Sequence, residues 1–200
     1  MYIAFEGPDG VGKTTQLYLL EEYLKGKGKK VMCVREPGGT RFGEALRGAI
    51  FRDMPSPEAT LLAMYSARIE LHREVIGPAL KKGNIVLSDR SSLSSWMYQY
   101  SRNETILYEH MESLEELVDI YRLERPYIFF ITEPDIDKKY TDENNFDKAF
   151  ANLGQEITEA GLEYLPETSN GFTIIDGSSS INDIATEVKK SFNGYFGERK

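Results

Sequence analysis

Two hundred residues suffice for one domain with a full core, and 40% hydrophobic with 28% charged residues is globular rather than disordered composition. A formal net charge of −8 argues against a surface that coats nucleic acid, because such a surface needs basic excess to displace counterions. Cys33 is the only cysteine, which excludes an internal disulfide and a cysteine-based zinc site. No stretch approaches the ~18 apolar residues of a membrane span, and no basic N-terminal region leads into an apolar one. The expectation is a cytoplasmic protein with neither a membrane nor a nucleic-acid partner.

The first predicted strand is Tyr2–Glu6, and Gly7-Pro8-Asp9-Gly10-Val11-Gly12-Lys13-Thr14 follows it directly. This run fits G-x-x-x-x-G-K-[ST] in the context that gives the pattern meaning, between a strand and the helix predicted over Thr14–Leu24. Glycines let successive backbone N–H groups turn toward phosphate oxygens, and the helix N-terminus adds partial positive charge. Gly7 to Thr15 are therefore the expected ATP-binding residues. Lys13 is placed to bridge the β- and γ-phosphates and Thr14 to ligate Mg²⁺.

Val31–Arg35 is the second predicted strand, with Cys33 read as a small buried hydrophobe. The turn Glu36-Pro37-Gly38-Gly39 follows, bracketed by Arg35, Glu36 and Arg41. Arg41 either reaches an acceptor phosphate or lies on a solvated face. Pro57–Leu80 reads as a long helix with a break at Gly77-Pro78. Within it Arg68 stands among Leu61, Leu62, Ala63, Met64 and Tyr65, and a buried guanidinium needs a partner. Glu70, Glu74 or another carboxylate would satisfy it, as would a ligand. Met64 either packs on a base plane or belongs to the core.

The third predicted strand, Ile85–Ser88, runs into Asp89-Arg90. At a strand's carboxyl end, a carboxylate can hold Mg²⁺ and its water while a guanidinium grips a phosphate bidentately. Tyr98 follows Arg90 by about two helical turns, so both can face one cleft. Ser113–Leu123 is a further helix with Leu114, Leu117, Ile120 and Tyr121 on one face. Tyr127–Ile131 and Phe172–Ile175 complete the strands. The polar stretch Asp135–Asp147 is a candidate mobile segment, and the tail from Asn193 is expected to fray. His72 and His110 fall outside every motif and read as surface or supporting residues. Strand–helix alternation of this kind means right-handed βαβ units on one parallel sheet. The expected fold is a three-layer α-β-α sandwich with a five-stranded parallel sheet, a single domain over 1–200 with a lid-like segment at about 135–150.

The motifs together resemble the thymidylate kinases. Phe5 to Gln16 is similar to that family's opening, and Arg35-Glu36-Pro37-Gly38-Gly39-Thr40 to its second signature. Tyr65-Ser66-Ala67-Arg68, and Asp89-Arg90 with Tyr98-Gln99, resemble its third and fourth. The resemblance implies transfer of the γ-phosphoryl group of ATP to dTMP, with Lys13, Arg90 and Asp9 as the catalytic set. It places Asp9 at the acceptor's 3′-hydroxyl, Arg68 at a thymine carbonyl, and Tyr98 where a ribose 2′-hydroxyl would lie. Glu36, Arg41, Met64, Gln99 and, with them, Ser94 and Ser95 are further candidates for the acceptor pocket, and Thr14 and Asp89 for the metal; the resemblance implies a homodimer.

Two departures stand out. The family supplies a further arginine from the P-loop or from a lid after the fourth strand. Here the P-loop position is Gly10, and no arginine occurs between Arg125 and Arg199. Lys138 or Lys139 is the candidate substitute, as a point charge without fork geometry. Tyr100 stands where many relatives have glycine, which leaves another 5-substituted dUMP open as acceptor. A deoxynucleoside kinase is the rival reading, with Glu36 as general base for a 5′-hydroxyl.

Overall fold

In the computed structural model the five predicted strands form one all-parallel sheet. The structure describes residues 1–100, 111, 113–116, 124–132 and 154–197, with Gln99 and Tyr100 described only as part of a helix. The strands are β1 (Tyr2–Glu6), β2 (Val31–Arg35), β3 (Ile85–Asp89), β4 (Tyr127–Ile131) and β5 (Phe172–Ile175), in spatial order β2-β3-β1-β4-β5. β3 runs one residue further than expected because Asp89 pairs with both Phe5 and Arg35. The helices are α1 (Lys13–Gly26), α2 (Arg41–Asp53), α3 (Pro57–Leu71), α4 (Gly77–Lys81), α5 (Ser92–Tyr100), α6 (Gly154–Thr168) and α7 (Ile181–Phe196).

Strand periodicity distributes the core between two faces. Ile3 and Phe5 of β1, with Tyr127, Phe129 and Ile131 of β4, pack against Leu17, Leu20 and Leu24 of α1 and Ile184 and Val188 of α7. Ala4, Ile128 and Phe130 point the other way, into a cluster with Leu61 and Tyr65 of α3, Leu93 and Met97 of α5 and Leu165 of α6. Because alternate residues face opposite layers and both layers are helical, β1 and β4 are wholly buried. β2 lies at the sheet's edge and is only half-buried, so Cys33 is a half-buried thiol on an edge strand rather than a core residue.

The expected break at Gly77-Pro78 is absent. His72–Ile76 forms a π-helical turn between α3 and α4, and Gly77 keeps right-handed helical dihedrals of −57° and −48°. Pro78 has no N–H to give to residue 74, and the wider turn accommodates the missing bond without ending the helix. The tail does not fray at Asn193 either: α7 continues to Phe196, with Phe192 buried. A side chain that seals the core holds the last turns in place. His72 is buried, not at the surface, with its ring edge-on to Tyr2 at 5.5 Å. Among the described residues no helix is long and apolar enough to cross a membrane. The lid-like segment 135–150, with Lys138, Lys139 and Lys148, lies outside the described residues, as do His110 and most of Ser113–Leu123.

Candidate active site

The carboxyl ends of β1, β2 and β3 open onto one cleft of about 1100 Å³. On its first side the chain leaves β1 at Gly7, whose φ of +132° is left-handed. A Cβ there would stand 2.1 Å from the Ile131 carbonyl oxygen, so only glycine lets the loop pass this close to β4. Gly12, at φ +94°, turns the loop into α1. Pro8 and Val11 are buried beneath the loop, while Asp9, Gly10, Gly12, Lys13, Thr14 and Thr15 line the cleft.

Lys13 is 6% exposed; its Nζ donates to the Pro8 carbonyl at 2.6 Å and stands 3.8 Å from Asp9 Oδ1. Burial, helped by the Arg90 charge, lowers its pKa to about 8. Thr14 Oγ1 donates to Asp89 Oδ2 at 2.5 Å, which sets two side-chain oxygens side by side at the end of β3.

Across from the loop, Arg90 leaves β3 with φ +75°, a conformation that few non-glycine residues adopt. Its guanidinium donates through Nη2 to Asp9 Oδ1 and to the Tyr98 hydroxyl (2.9 Å), and through Nη1 to Ser94 Oγ (2.9 Å). Tyr98 in turn donates to Asp9 Oδ2 at 2.6 Å. Burial works against ionisation of Asp9, but Arg90, Lys13 and the Tyr98 hydrogen bond outweigh it and hold its pKa below the usual carboxylate range. Burial also opposes the Arg90 cation, and the neighbouring Tyr98, Asp9 and Glu6 more than restore it.

Deeper in the cleft Arg68 is 5% exposed. Its Nε donates to Glu36 Oε2 at 2.6 Å, and its Nη2 to the Ser91 carbonyl and to Ser95 Oγ, both at 3.1 Å. Its guanidinium carbon stands 4.5 Å from the centre of the Tyr65 ring. Nη1 is buried without a hydrogen-bond partner among the described residues. A buried, unpaired N–H on a charged group is costly, and a ligand acceptor in the cleft would satisfy it. The carboxylate that pairs with Arg68 is thus Glu36, from the turn after β2, and neither Glu70 nor Glu74 of its own helical run. Glu36 is itself 4% exposed and also accepts from the Tyr2 hydroxyl at 3.3 Å.

Lys13, Asp9, Thr14, Thr15, Glu36, Met64, Arg68, Asp89, Arg90, Ser95 and Tyr98 all line this cleft. Met64 is half-buried, with Ser95 Oγ 4.0 Å from its sulfur. Arg41 is different. It is exposed at the start of α2 and is not among the lining residues. The reason is the cap: Thr40 Oγ1 accepts from Gly43 N–H and begins α2 at Arg41, so the helix turns Arg47 inward instead. Arg47 lines the cleft, donates to the Pro37 carbonyl at 3.1 Å and stacks on Phe51 at 4.5 Å. Without α2 in the predicted elements, its inward face was not legible. Arg35 also lines the cleft, paired with Glu44 at 2.8 Å, and Glu44 also accepts from Gly39 N–H. The Gln99 side chain lies outside the described residues.

The family model described as thymidylate kinase matches residues 5–188. The thymidylate kinase of Thermosipho africanus is 40% identical, over 94% of this chain and 96% of its own length. That of Fervidobacterium nodosum is 35% identical, over 98% and 100%. The crystal structure of thymidylate kinase from Ehrlichia chaffeensis superposes with a TM-score of 0.75 at 27% identity, covering 96% of this chain and 98% of that one.

Proposed function

The chain belongs to the thymidylate kinase family, and from that premise we propose that it transfers the γ-phosphoryl group of ATP to dTMP, giving dTDP and ADP for deoxynucleotide supply. The observation that carries this reading is the shared carboxylate between the two halves of the cleft: Asp9 stands 3.8 Å from Lys13 and is gripped by Arg90. A donor phosphate beside Lys13 and an acceptor phosphate beside Arg90 would then meet in one place. An oxygen of the dTMP phosphate attacks the γ-phosphorus as the bond to the β–γ bridging oxygen breaks. That oxygen is already anionic, so no general base is required. What the protein supplies is position and positive charge.

In this reading the P-loop N–H groups and Lys13 hold the triphosphate, Arg90 holds the acceptor phosphate, and Arg68 offers its unpaired Nη1 to the base. Tyr98, between Arg90 and Asp9, fills the space beside the sugar. The Thr14–Asp89 oxygen pair suits Mg²⁺, which takes one or two protein oxygens and completes its shell with phosphate and water. When bound, that ion neutralises charge on the β- and γ-phosphates. We read the chain as one cytoplasmic kinase domain with a lid at about 135–150. We also read it as a homodimer, to which exposed Phe42 of α2 and Leu62 of α3 would contribute.

The deoxynucleoside-kinase alternative loses its base. Glu36, which would have to take a proton from a 5′-hydroxyl, is committed to Arg68 and Tyr2. Initial rates with ATP and Mg²⁺ on dTMP, dUMP, other 5-substituted dUMPs and thymidine test the proposal. The highest kcat/KM is expected for dTMP, with no turnover of thymidine; preference for thymidine overturns it.

A further inference from the structure

Glu6 is a buried charge at this site that takes no part in the transfer itself. It is the last residue of β1 and is 0% exposed. A carboxylate removed from water must be hydrogen-bonded, and this one accepts four times. Oε1 accepts from the N–H and the hydroxyl of Ser91 (2.6 and 2.8 Å) and from the N–H of Ser94 (3.1 Å). Oε2 accepts from the Ser94 hydroxyl at 2.7 Å. All four donors come from two residues, Ser91 immediately before α5 and Ser94 in its first turn.

Those two serines also hold the arginines. Ser94 Oγ accepts from Arg90 Nη1, and the Ser91 carbonyl accepts from Arg68 Nη2. Arg90 itself, the residue before Ser91, keeps a left-handed backbone that persists only where its surroundings impose it. Gly7, the residue after Glu6, begins the phosphate cradle. A single carboxylate therefore fixes, through one shell of hydrogen bonds, where both acceptor-side guanidinium groups stand relative to the donor loop.

We infer that Glu6 is a positioning residue for the acceptor: by clamping Ser91 and Ser94 it sets Arg68 and Arg90 against the P-loop. This rests on the reading of those arginines as acceptor-binding groups. A carboxylate that only stabilised α5 would have no reason to affect one substrate more than the other, and that is the distinction to measure.

The test is steady-state kinetics on Glu6→Gln, varying dTMP and ATP separately, with a thermal melt beside it. Glutamine keeps the shape but turns one acceptor oxygen into a donor facing the Ser94 hydroxyl. The KM for dTMP is expected to rise about tenfold while that for ATP stays within about twofold. Ser94→Ala should also raise the dTMP KM, and the two substitutions together should cost little more than either alone, because both break one linkage. An unchanged dTMP KM, equal shifts in both KM values, or full additivity overturns the inference. Should Glu6→Gln fail to fold, Glu6→Asp, which keeps the charge but shortens the reach to Ser91 and Ser94, carries the test: a raised dTMP KM with unchanged ATP KM supports the linkage, and an unchanged dTMP KM overturns it. Arg90→Ala separates the layers. If it leaves the dTMP KM unmoved, the acceptor pocket itself is misassigned; if it moves that KM while Glu6→Gln does not, only the role of Glu6 falls.

Discussion

The two halves of the cleft, read as a donor side and an acceptor side, are built by opposite means. The phosphate cradle is a continuous run of the chain, Gly7 to Thr15, whose specificity lies in backbone N–H groups, glycine dihedrals and one lysine. The acceptor pocket is assembled from side chains of β1, the turn after β2, α3, the end of β3 and α5, and each of its guanidinium groups is held by carboxylates and hydroxyls from other segments. A loop whose dihedrals are fixed by local residue type needs little support from elsewhere. A buried guanidinium needs a counter-charge, and the carboxylates that pair with Arg68 and Arg90 lie 32 and 81 residues away. The donor side should therefore respond to single changes in its own chemistry, and the acceptor side to changes in what surrounds it.

The largest expected effect falls on the donor half. Lys13→Ala should lower kcat/KM by about a thousandfold or more in a coupled ADP-release assay, since no other described cation is as deep in the cradle. On the acceptor half, Glu36→Ala should first appear as lost stability. It leaves the Arg68 charge buried and unpaired, and breaking such a pair costs about 3 kcal/mol, visible as a lower melting temperature. If the melt is unchanged, the support described for the acceptor side is wrong. Arg68→Ala should raise the dTMP KM by about 30-fold with the ATP KM within about twofold, measured by varying each substrate in turn. Equal changes in both would erase the distinction between the halves.

The smallest effect sharpens the contrast by pH. Burial lowers the Lys13 pKa to about 8, below its ordinary value of 10.5. A triphosphate binds the protonated amine, so affinity for ATP is full below about pH 8 and declines as pH rises past it. The ATP KM should be raised by about tenfold near pH 9. The dTMP KM should hold to about twofold over the same range, because the pKa values of Arg68 and Arg90 are raised, not lowered.

How much was legible follows the same division. The strands were readable because each is a short apolar run between breakers, and the P-loop because its pattern is contiguous. α2 was not, since Gly43 and Gly48 are weak helix formers inside a run of thirteen residues, and Arg47 stayed hidden with it. Glu6 gave a faint signal, an ionisable residue ending an otherwise apolar strand, but its four donors lie 85 to 88 residues away. For Arg68 the residues demanded a partner without saying which. Glu36, 32 residues earlier, is chosen only when β2 and β3 pair and bring the turn after β2 alongside α3.

By itself, then, the amino-acid sequence determined the alternation of strands and helices, the phosphate cradle, and the residue types that converge after the strands, because each of these is written in neighbouring residues. Tertiary structure alone decided which carboxylate holds which arginine, that Arg47 rather than Arg41 faces the cleft, and that Gly77-Pro78 continues a helix through a π turn. Those outcomes depend on burial and on partners brought together by the sheet, and the free energy of a buried charge is set by what surrounds it rather than by its place in the chain.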